Sequence, residues 1–329
     1  MIERSPQEPP IIAPLSCHDS QPLWSVMIPT YNCLNYLKTT IEKVLLQAPN
    51  KSMMQIEVID DCSTDGDIHA LVQAAGNGRV EFYQQSSNVG SLRNFETCLN
   101  RAKGKLIHIL HGDDYVEIGF YNEIEHLFAR FPTIGAAFSD YTYIDEKGEM
   151  VRQSEKLLDT PGILDNWLIT IAQKQRIQFP AMVVKRSVYE HLGGFYAVHY
   201  GEDWEMWTRI AAHYQVAYSP KNLAMYRVHS NNITSTSIKN GQHIHDINKV
   251  ICLIQNYIPH HQKKRIKLIS LKNYSIYCTQ ISYKLYNEQK NTLDAIKLSI
   301  AAIKLNLNSK TFIEFIKLLF KIVIGYRNK

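Results

Sequence analysis

From residue 23 the chain alternates apolar runs of strand length with amphipathic runs of helix length, and this rhythm limits the folds open to it. Trp24-Ser25-Val26-Met27-Ile28 reads as a strand that Pro29 ends. Asn35 to Gln47 reads as a helix carrying Leu37, Ile41, Val44 and Leu45 on one face. Ile56 to Ile59, Val80 to Tyr83 and Leu106 to Leu110 read as three further strands. Helical stretches from Asp67 to Ala75 and from Ser91 to Ala102 separate them. The β-α-β-α-β-α-β order predicts an α/β domain with a mostly parallel central sheet and helices on both faces.

Each strand runs into a polar cluster: Thr30-Tyr31-Asn32, Asp60-Asp61-Cys62-Ser63, Asn88-Val89-Gly90 and Gly112-Asp113-Asp114. Open α/β sheets bind ligands beyond the carboxyl ends of their strands, so these clusters are expected to meet in one cleft. Beyond residue 115, helices are expected at Tyr121 to Phe131 and Ile163 to Ala172, and strands at Ala136 to Tyr143 and Met182 to Val184. Val216 to Tyr218 and Leu223 to Arg227 read as short strands around a turn at Pro220, and only helices follow residue 240.

Two acidic sites about 90 residues apart carry the chemistry. Asp113-Asp114 ends a buried strand and suits a divalent cation on a diphosphate. Glu202-Asp203 opens a helix-like stretch after Gly193-Gly194-Phe195 and suits a base that takes a proton from a hydroxyl. A free Asp, with a pKa near ~3.9, is a poor base at neutral pH. The charge of Glu202 and desolvation by Trp204 and Trp207 are expected to raise it. One of the two carboxylates is expected to cap the helix and the other, Asp203, to act as base. The two tryptophans suit either core packing at i,i+3 spacing or an apolar wall of a binding cleft.

The 329 residues allow one large domain with an appendage. Residues 1–239 hold 21 Lys and Arg against 27 Asp and Glu, whereas residues 240–329 hold 15 against 4. This split predicts an acidic body at 23–239 and a basic helical region at 240–329, suited to an anionic surface or to a solvated helical face. Within that region Lys310, Glu314, Lys317 and Lys321 form one stripe on an otherwise apolar helix. Such a helix can lie in a membrane interface, pack under a partner helix or form a dimer seam. It does not interleave aromatic and basic residues as a nucleic-acid platform would, which argues against nucleic acid. Residues 1–22 are polar and Pro-rich and read as a disordered leader. No apolar run reaches the ~18–20 residues of a membrane span. The six scattered cysteines include no C-x-x-C pair, which favours a reducing cytoplasm.

No G-x-G-x-x-G follows the first strand, and neither a P-loop nor a zinc-ligand spacing is present. A sugar nucleotidyltransferase would need a basic triphosphate loop after the first strand, which Pro29-Thr30-Tyr31-Asn32 does not supply.

The series Val26 to Asn32, Ile59 to Gly66, Asn88-Val89-Gly90, Gly112-Asp113-Asp114, Gly194-Phe195, Gly201-Glu202-Asp203 and Tyr226-Arg227-Val228-His229 resembles the family 2 glycosyltransferases of GT-A fold. The resemblance covers roughly residues 23–235 and implies inverting transfer of a sugar from a nucleotide-sugar to a glycan or lipid-linked acceptor. It implies that Pro29 and Tyr31 border the nucleotide base, that Asp61 accepts a hydrogen bond from it, and that Asp60 supports the loop. Asn88, Gly90 and Arg93 are then expected near the ribose and phosphates. Asp113 is expected at the ribose and the metal, Asp114 at Mn²⁺ or Mg²⁺, His229 near the metal or diphosphate, and Asp203, with Glu202 beside it, at the catalytic base position. Two departures stand out. His111 replaces the first Asp of the D-x-D region, which leaves open which carboxylate binds metal, and Cys62 stands where Gly is frequent. A non-catalytic binding module of the same fold is the alternative, and a homo-oligomer is left open.

Overall fold

The computed structural model describes residues 3–16, 21–230 and 232–327. Strands β1 (Trp24–Thr30), β2 (Met54–Asp60), β3 (Glu81–Gln84) and β4 (Leu106–Ile109) pair in parallel in the order β3-β2-β1-β4. Helices α1 (Leu34–Leu45), α2 (Ile68–Gly76) and α3 (Ser91–Arg101) are the crossovers. All seven residues of β1 are buried, as expected of a central strand covered on both faces. Helix α2 begins where the Asp67 side chain accepts the Ala70 N–H and ends at Asn77 in the left-handed conformation.

The second half adds β5 (Tyr115–Val116), α4 (Phe120–Arg130), β6 (Ala136–Ile144), β7 (Met150–Gln153), β8 (Gly162–Ile163) and α5 (Trp167–Gln173). A 3₁₀ turn at Phe179–Ala181, β9 (Met182–Lys185), α6 (Arg186–Leu192), α7 (Glu202–His213) and β10 (Val216–Arg227) follow. The sheet continues β4-β9-β6-β10-β5. Because β9 is antiparallel to both β4 and β6, and β10 is parallel to β6, the strands β1 to β4, β6 and β10 all point the same way.

Two local expectations are corrected. The helix expected at Ile163 starts at Trp167, because Gly162 and Ile163 pair with Tyr218 and Ala217. The two short strands around Pro220 form one strand, β10, whose register against β6 shifts between Ser219 and Ala224. An irregular ladder tolerates a proline, which has no N–H to give.

Helices α8 (Ile233–Asn240), α9 (Gln242–Ile254), α10 (Lys263–Asn287), α11 (Thr292–Leu305) and α12 (Ser309–Val323) complete the fold. Helix α10 is tied to the end of α5: Ser270 Oγ donates to the Ala172 carbonyl at 2.8 Å and Asn273 Nδ2 to the Gln173 carbonyl at 3.0 Å. Tyr257 donates to buried Glu205 on α7 at 2.5 Å. Among the described residues no helix is long and apolar enough to cross a membrane. The described cysteines Cys33, Cys62, Cys98, Cys252 and Cys278 are all free thiols, and Cys17 lies outside the described residues.

The disordered leader does not hold for residues 3–16. They form no regular element, yet Ile12 is fully buried and backbone hydrogen bonds join Pro6 and Pro10 to Ala197 and Gly194. Proline carbonyls still accept, so a Pro-rich segment can be held by a loop that donates. Residues 1–2 and 17–20 of that leader lie outside the described residues.

Candidate active site

The carboxyl ends of β1, β2, β4 and β10 assemble one polar edge. The Asp61 N–H donates to the Thr30 carbonyl at 2.8 Å, and the Gly112 N–H donates to the Pro29 carbonyl at 3.1 Å. A Cβ on Gly112 would lie 2.7 Å from Cys33 Sγ and 3.0 Å from Thr30 Oγ1, so a residue with a side chain does not fit there. Pro29 is buried, and Tyr31 stands half exposed at the rim.

Asp60 and Asp61 hold the loops of this edge. Asp60 accepts from Ser63 N, Ser63 Oγ and Gln84 Nε2. Asp61 accepts from Val89 N at 2.7 Å, Gly90 N at 2.9 Å and Asn88 Nδ2 at 3.0 Å. Burial raises the Asp61 carboxyl above its usual range, although the Val89 and Gly90 amides oppose the rise. Asp61, Asn88 and Gly90 are thus brought together, with most of the Asp61 acceptor capacity spent on the turn. Arg93 is turned elsewhere: Nη1 pairs with Glu96 at 2.7 Å and Nε donates to the Glu3 carbonyl at 2.8 Å. Cys62 has φ +62°, the left-handed region that explains why Gly suits this position.

The second cluster is His111, Asp113 and Asp114, which offer ligand atoms all within 4.8 Å of one another. His229 Nε2 donates to Asp113 Oδ2 at 2.9 Å. Burial pushes Asp113 up, but the His229 hydrogen bond and the charges of His111 and His229 outweigh it and hold this carboxyl low. Asp114 Oδ1 accepts the Arg227 N–H at 2.8 Å, while Oδ2 is buried with no hydrogen-bond partner. Burial, then the charge of Asp113, raises the Asp114 carboxyl well above its usual range. His111 stacks on Phe95 and lies tilted against Phe179, and its Nε2 is likewise buried without a hydrogen-bond partner. A buried carboxylate oxygen left unsatisfied, with His111 Nδ1 4.0 Å from it and a second carboxylate beside it, fits a divalent cation. The His at the first D-x-D position is therefore part of the acidic cluster. Arg227, which the sequence placed in a motif without a role, braces the cluster by donating Nε to the Asp113 carbonyl and Nη1 to the carbonyls of Asp145 and Glu146.

Asp203 lies on the first turn of α7 and is nearly buried. Oδ1 accepts the Trp204 N–H at 2.6 Å, and Oδ2 accepts from the Gln175 side-chain amide. Burial pushes Asp203 up to about 7, against the opposing pull of those two hydrogen bonds. The two adjacent carboxylates repel each other, so their mutual charge acts in the same direction as burial. Glu202 is itself raised well above its usual range by burial and by the charge of Asp203. Neither residue caps α7 with its side chain in the usual sense, since the N-cap is Gly201. Trp204 donates Nε1 to the Ile171 carbonyl and Trp207 packs against Phe179 and Phe195, so both are core residues. Gln175 was missed because no local pattern marks a loop residue that meets its partner 28 positions away.

The model of the glycosyl transferase family 2 matches residues 25–193, more than half of the chain. The chain belongs to that family. An uncharacterized glycosyltransferase of Mycoplasma pneumoniae, the MG025 homolog, is 32% identical to this family 2 glycosyltransferase over 173 residues. The match takes in 51% of this chain and 53% of that protein, so the chain spans about half of its relative. The chondroitin synthase of Pasteurella multocida is 26% identical over 132 residues, 40% of this chain and 13% of that protein. Among solved structures, residues 1–349 of S. aureus TarS in complex with UDP-GlcNAc superpose with a TM-score of 0.66. That likeness covers 93% of each chain at 15% identity and concerns the fold, a GT-A architecture.

Proposed function

We propose that this family 2 glycosyltransferase moves a sugar from a nucleoside-diphosphate sugar to an acceptor hydroxyl with inversion, in the synthesis of a surface polysaccharide or related glycan. The observation that carries the proposal is Asp203, a nearly buried carboxylate on the first turn of α7 that Gln175 and the Trp204 N–H hold in place and whose pKa is pushed up to about 7. A base with a pKa near the working pH combines availability with proton affinity. In this reading Asp203 takes the proton of the acceptor hydroxyl as its oxygen bonds to the anomeric carbon. The bond from that carbon to the phosphate oxygen breaks, and the nucleoside diphosphate leaves with the electron pair. The UDP-GlcNAc in complex with TarS and the similarity to a chondroitin synthase support the donor and product classes.

Asp113, Asp114 and His111 are the residues we assign to a divalent cation, with His229 holding Asp113 in place rather than joining the donor set. Bound there, Mn²⁺ or Mg²⁺ would supply positive charge to the departing diphosphate. Asp61, Asn88 and Gly90 form the corner assigned to the nucleotide, with Pro29 and Tyr31 at the base.

Thermal unfolding with UDP, dTDP, GDP and CMP, each with and without Mn²⁺, tests the reading on the wild type and Asp114→Asn. Asn keeps an acceptor for the Arg227 N–H and removes the charge. A ligand at ~100 times its Kd adds ~2.7 kcal/mol of stability. Metal-dependent stabilisation by one nucleotide, lost in the variant, is the expected result. No shift with any nucleotide would overturn the donor assignment.

We further assign α12 to an anionic lipid surface at the cytoplasmic face of the membrane, which would bring the site to a lipid-linked acceptor. Phe312, Ile316, Phe320 and Val323 recur along one face of α12 and are 48–84% exposed, with Ile313 and Ile324 beside them. Lys310 and Lys317 flank this arc, and the surrounding region is strongly basic. An exposed apolar arc with flanking lysines has the composition of an interfacial helix.

A further inference from the structure

The N-terminal segment is moored along its length to the catalytic half. Ser5 Oγ and His199 Nε2 are 2.6 Å apart. The Ala197 N–H donates to the Pro6 carbonyl and the Gly194 N–H to the Pro10 carbonyl, each at 2.8 Å. Ile12 is fully buried, and Arg186 Nη2 donates to the Ala13 carbonyl at 2.8 Å. This strap delivers one side chain to the polar edge of the sheet. Arg4 donates Nη2 to Asn88 Oδ1, and its positive charge acts on Asp61. A Cβ on Gly90 would lie 3.0 Å from Arg4 Nε, and Gly90 has φ +89°, so the guanidinium rests on a position that a larger residue would fill.

We propose that Arg4 binds the nucleoside diphosphate of the donor, a role that rests on the donor reading above. The strap exchanges one arginine for another at this corner. Arg93, the cation expected from the motif, is engaged by Glu96 and by the Glu3 carbonyl, and the residue after Glu3 on the strap is Arg4, whose guanidinium reaches Asn88. The three N–H groups on Asp61 satisfy its lone pairs but leave its negative charge, which would repel a diphosphate. Arg4 supplies the opposing charge. Among the described residues its hydrogen bond is to Asn88 alone, and a guanidinium carries five N–H donors in a fork that matches phosphate oxygens. Because the strap already fixes the backbone on either side, little chain entropy remains to be lost when the nucleotide arrives.

The test is the Kd of the nucleoside diphosphate that stabilises the full-length wild type, measured by titration calorimetry beside its uncharged nucleoside. Arg4→Ala and Arg4→Lys are compared, with ligand-free melting as the check on folding. The proposal expects Arg4→Ala to weaken the diphosphate about tenfold, which is ~1.4 kcal/mol. Lys should recover part of the loss, and the nucleoside should bind unchanged. Tighter diphosphate binding by Arg4→Ala would make Arg4 a plug, and unchanged binding would make it a structural contact; either result overturns the proposal. Should Arg4→Ala fail to fold, wild-type affinity for the diphosphate in Arg4→Lys would overturn it, and partial loss would support it. A wild type that binds no nucleoside diphosphate sinks the donor reading itself, which separates the two failures.

Discussion

The side-chain amide of Gln175 donates to Oδ2 of Asp203, so both oxygens of this nearly buried carboxylate have a fixed donor. Gln175 in turn accepts from the Arg176 N–H at 2.9 Å, and α10 holds the preceding residues Ala172 and Gln173. The environment of the Asp203 carboxylate is therefore set by the helical C-terminal region as well as by α7.

Replacing Gln175 with Ala removes a hydrogen bond that favours the ionised carboxylate, which moves the Asp203 pKa further up from about 7. The acid limb of kcat/KM against pH should shift to higher pH, and activity at pH 7 should fall more than activity at pH 9. An unshifted limb would mean that Gln175 does not act through this proton.

Asp203→Asn should lower kcat by about 10²–10⁴, the usual contribution of a general base. It should also stabilise the fold at high pH. The folded-state pKa of Asp203 is raised, so its contribution to stability is complete below the unfolded value, near 3.8, and is lost as pH rises through about 7. Asn needs no proton to be buried. The variant should melt higher than the wild type at pH 8, by about 1–2 °C for each kcal/mol, and show little gain at pH 4. Equal gains at both pH values would contradict this account.

Cys62 sits at φ +62°, where an L-residue is strained by roughly 1–2 kcal/mol. Cys62→Gly should relieve most of that, less the ~0.5–1 kcal/mol of chain entropy that Gly adds to the unfolded state. Cys62→Ala should relieve none. Denaturant unfolding that ranks Ala at or above Gly would show that the turn relaxes around its Cβ.

Ile316→Glu with Phe320→Glu places two charges in the exposed arc of α12 and should abolish co-sedimentation with phosphatidylglycerol vesicles while leaving the melting temperature within a few degrees. Wild type should pellet with these vesicles and not with phosphatidylcholine alone. If the wild type pellets with neither, and sedimentation velocity gives a dimer that the double variant dissociates, the arc is a seam between copies and the lipid assignment falls.

The sequence made the first four strands and three helices legible because each is a short apolar run or a one-faced helix, with turn residues such as Gly112 beyond the strand ends. Pro29, expected to end the first strand, lies inside it, because β1 pairs with β2 as far as Thr30. The carboxylates were legible for the same reason, since strand ends announce them. What escaped depends on partners far along the chain. The 162–163 bridge and the joining of the Pro220 strands follow from pairing with other strands. Gln175, Arg227 and Arg4 take their roles from residues 28, 113 and 84 positions away. The Pro-rich leader was misread because composition does not reveal a surface able to donate to proline carbonyls.

Ser5 meets His199 and Ala13 meets Arg186 across 194 and 173 residues of chain. During synthesis from the N-terminus, the moorings to Arg186, Gly194, Ala197 and His199 therefore cannot form until more than half of the polypeptide exists. Long-range closures of this kind form slowly, so the strap is expected to fasten late in folding. It also means that a purification tag fused ahead of Glu3 would hang beside the nucleotide corner. A low apparent donor affinity measured on such a fusion would report on the tag as much as on the enzyme.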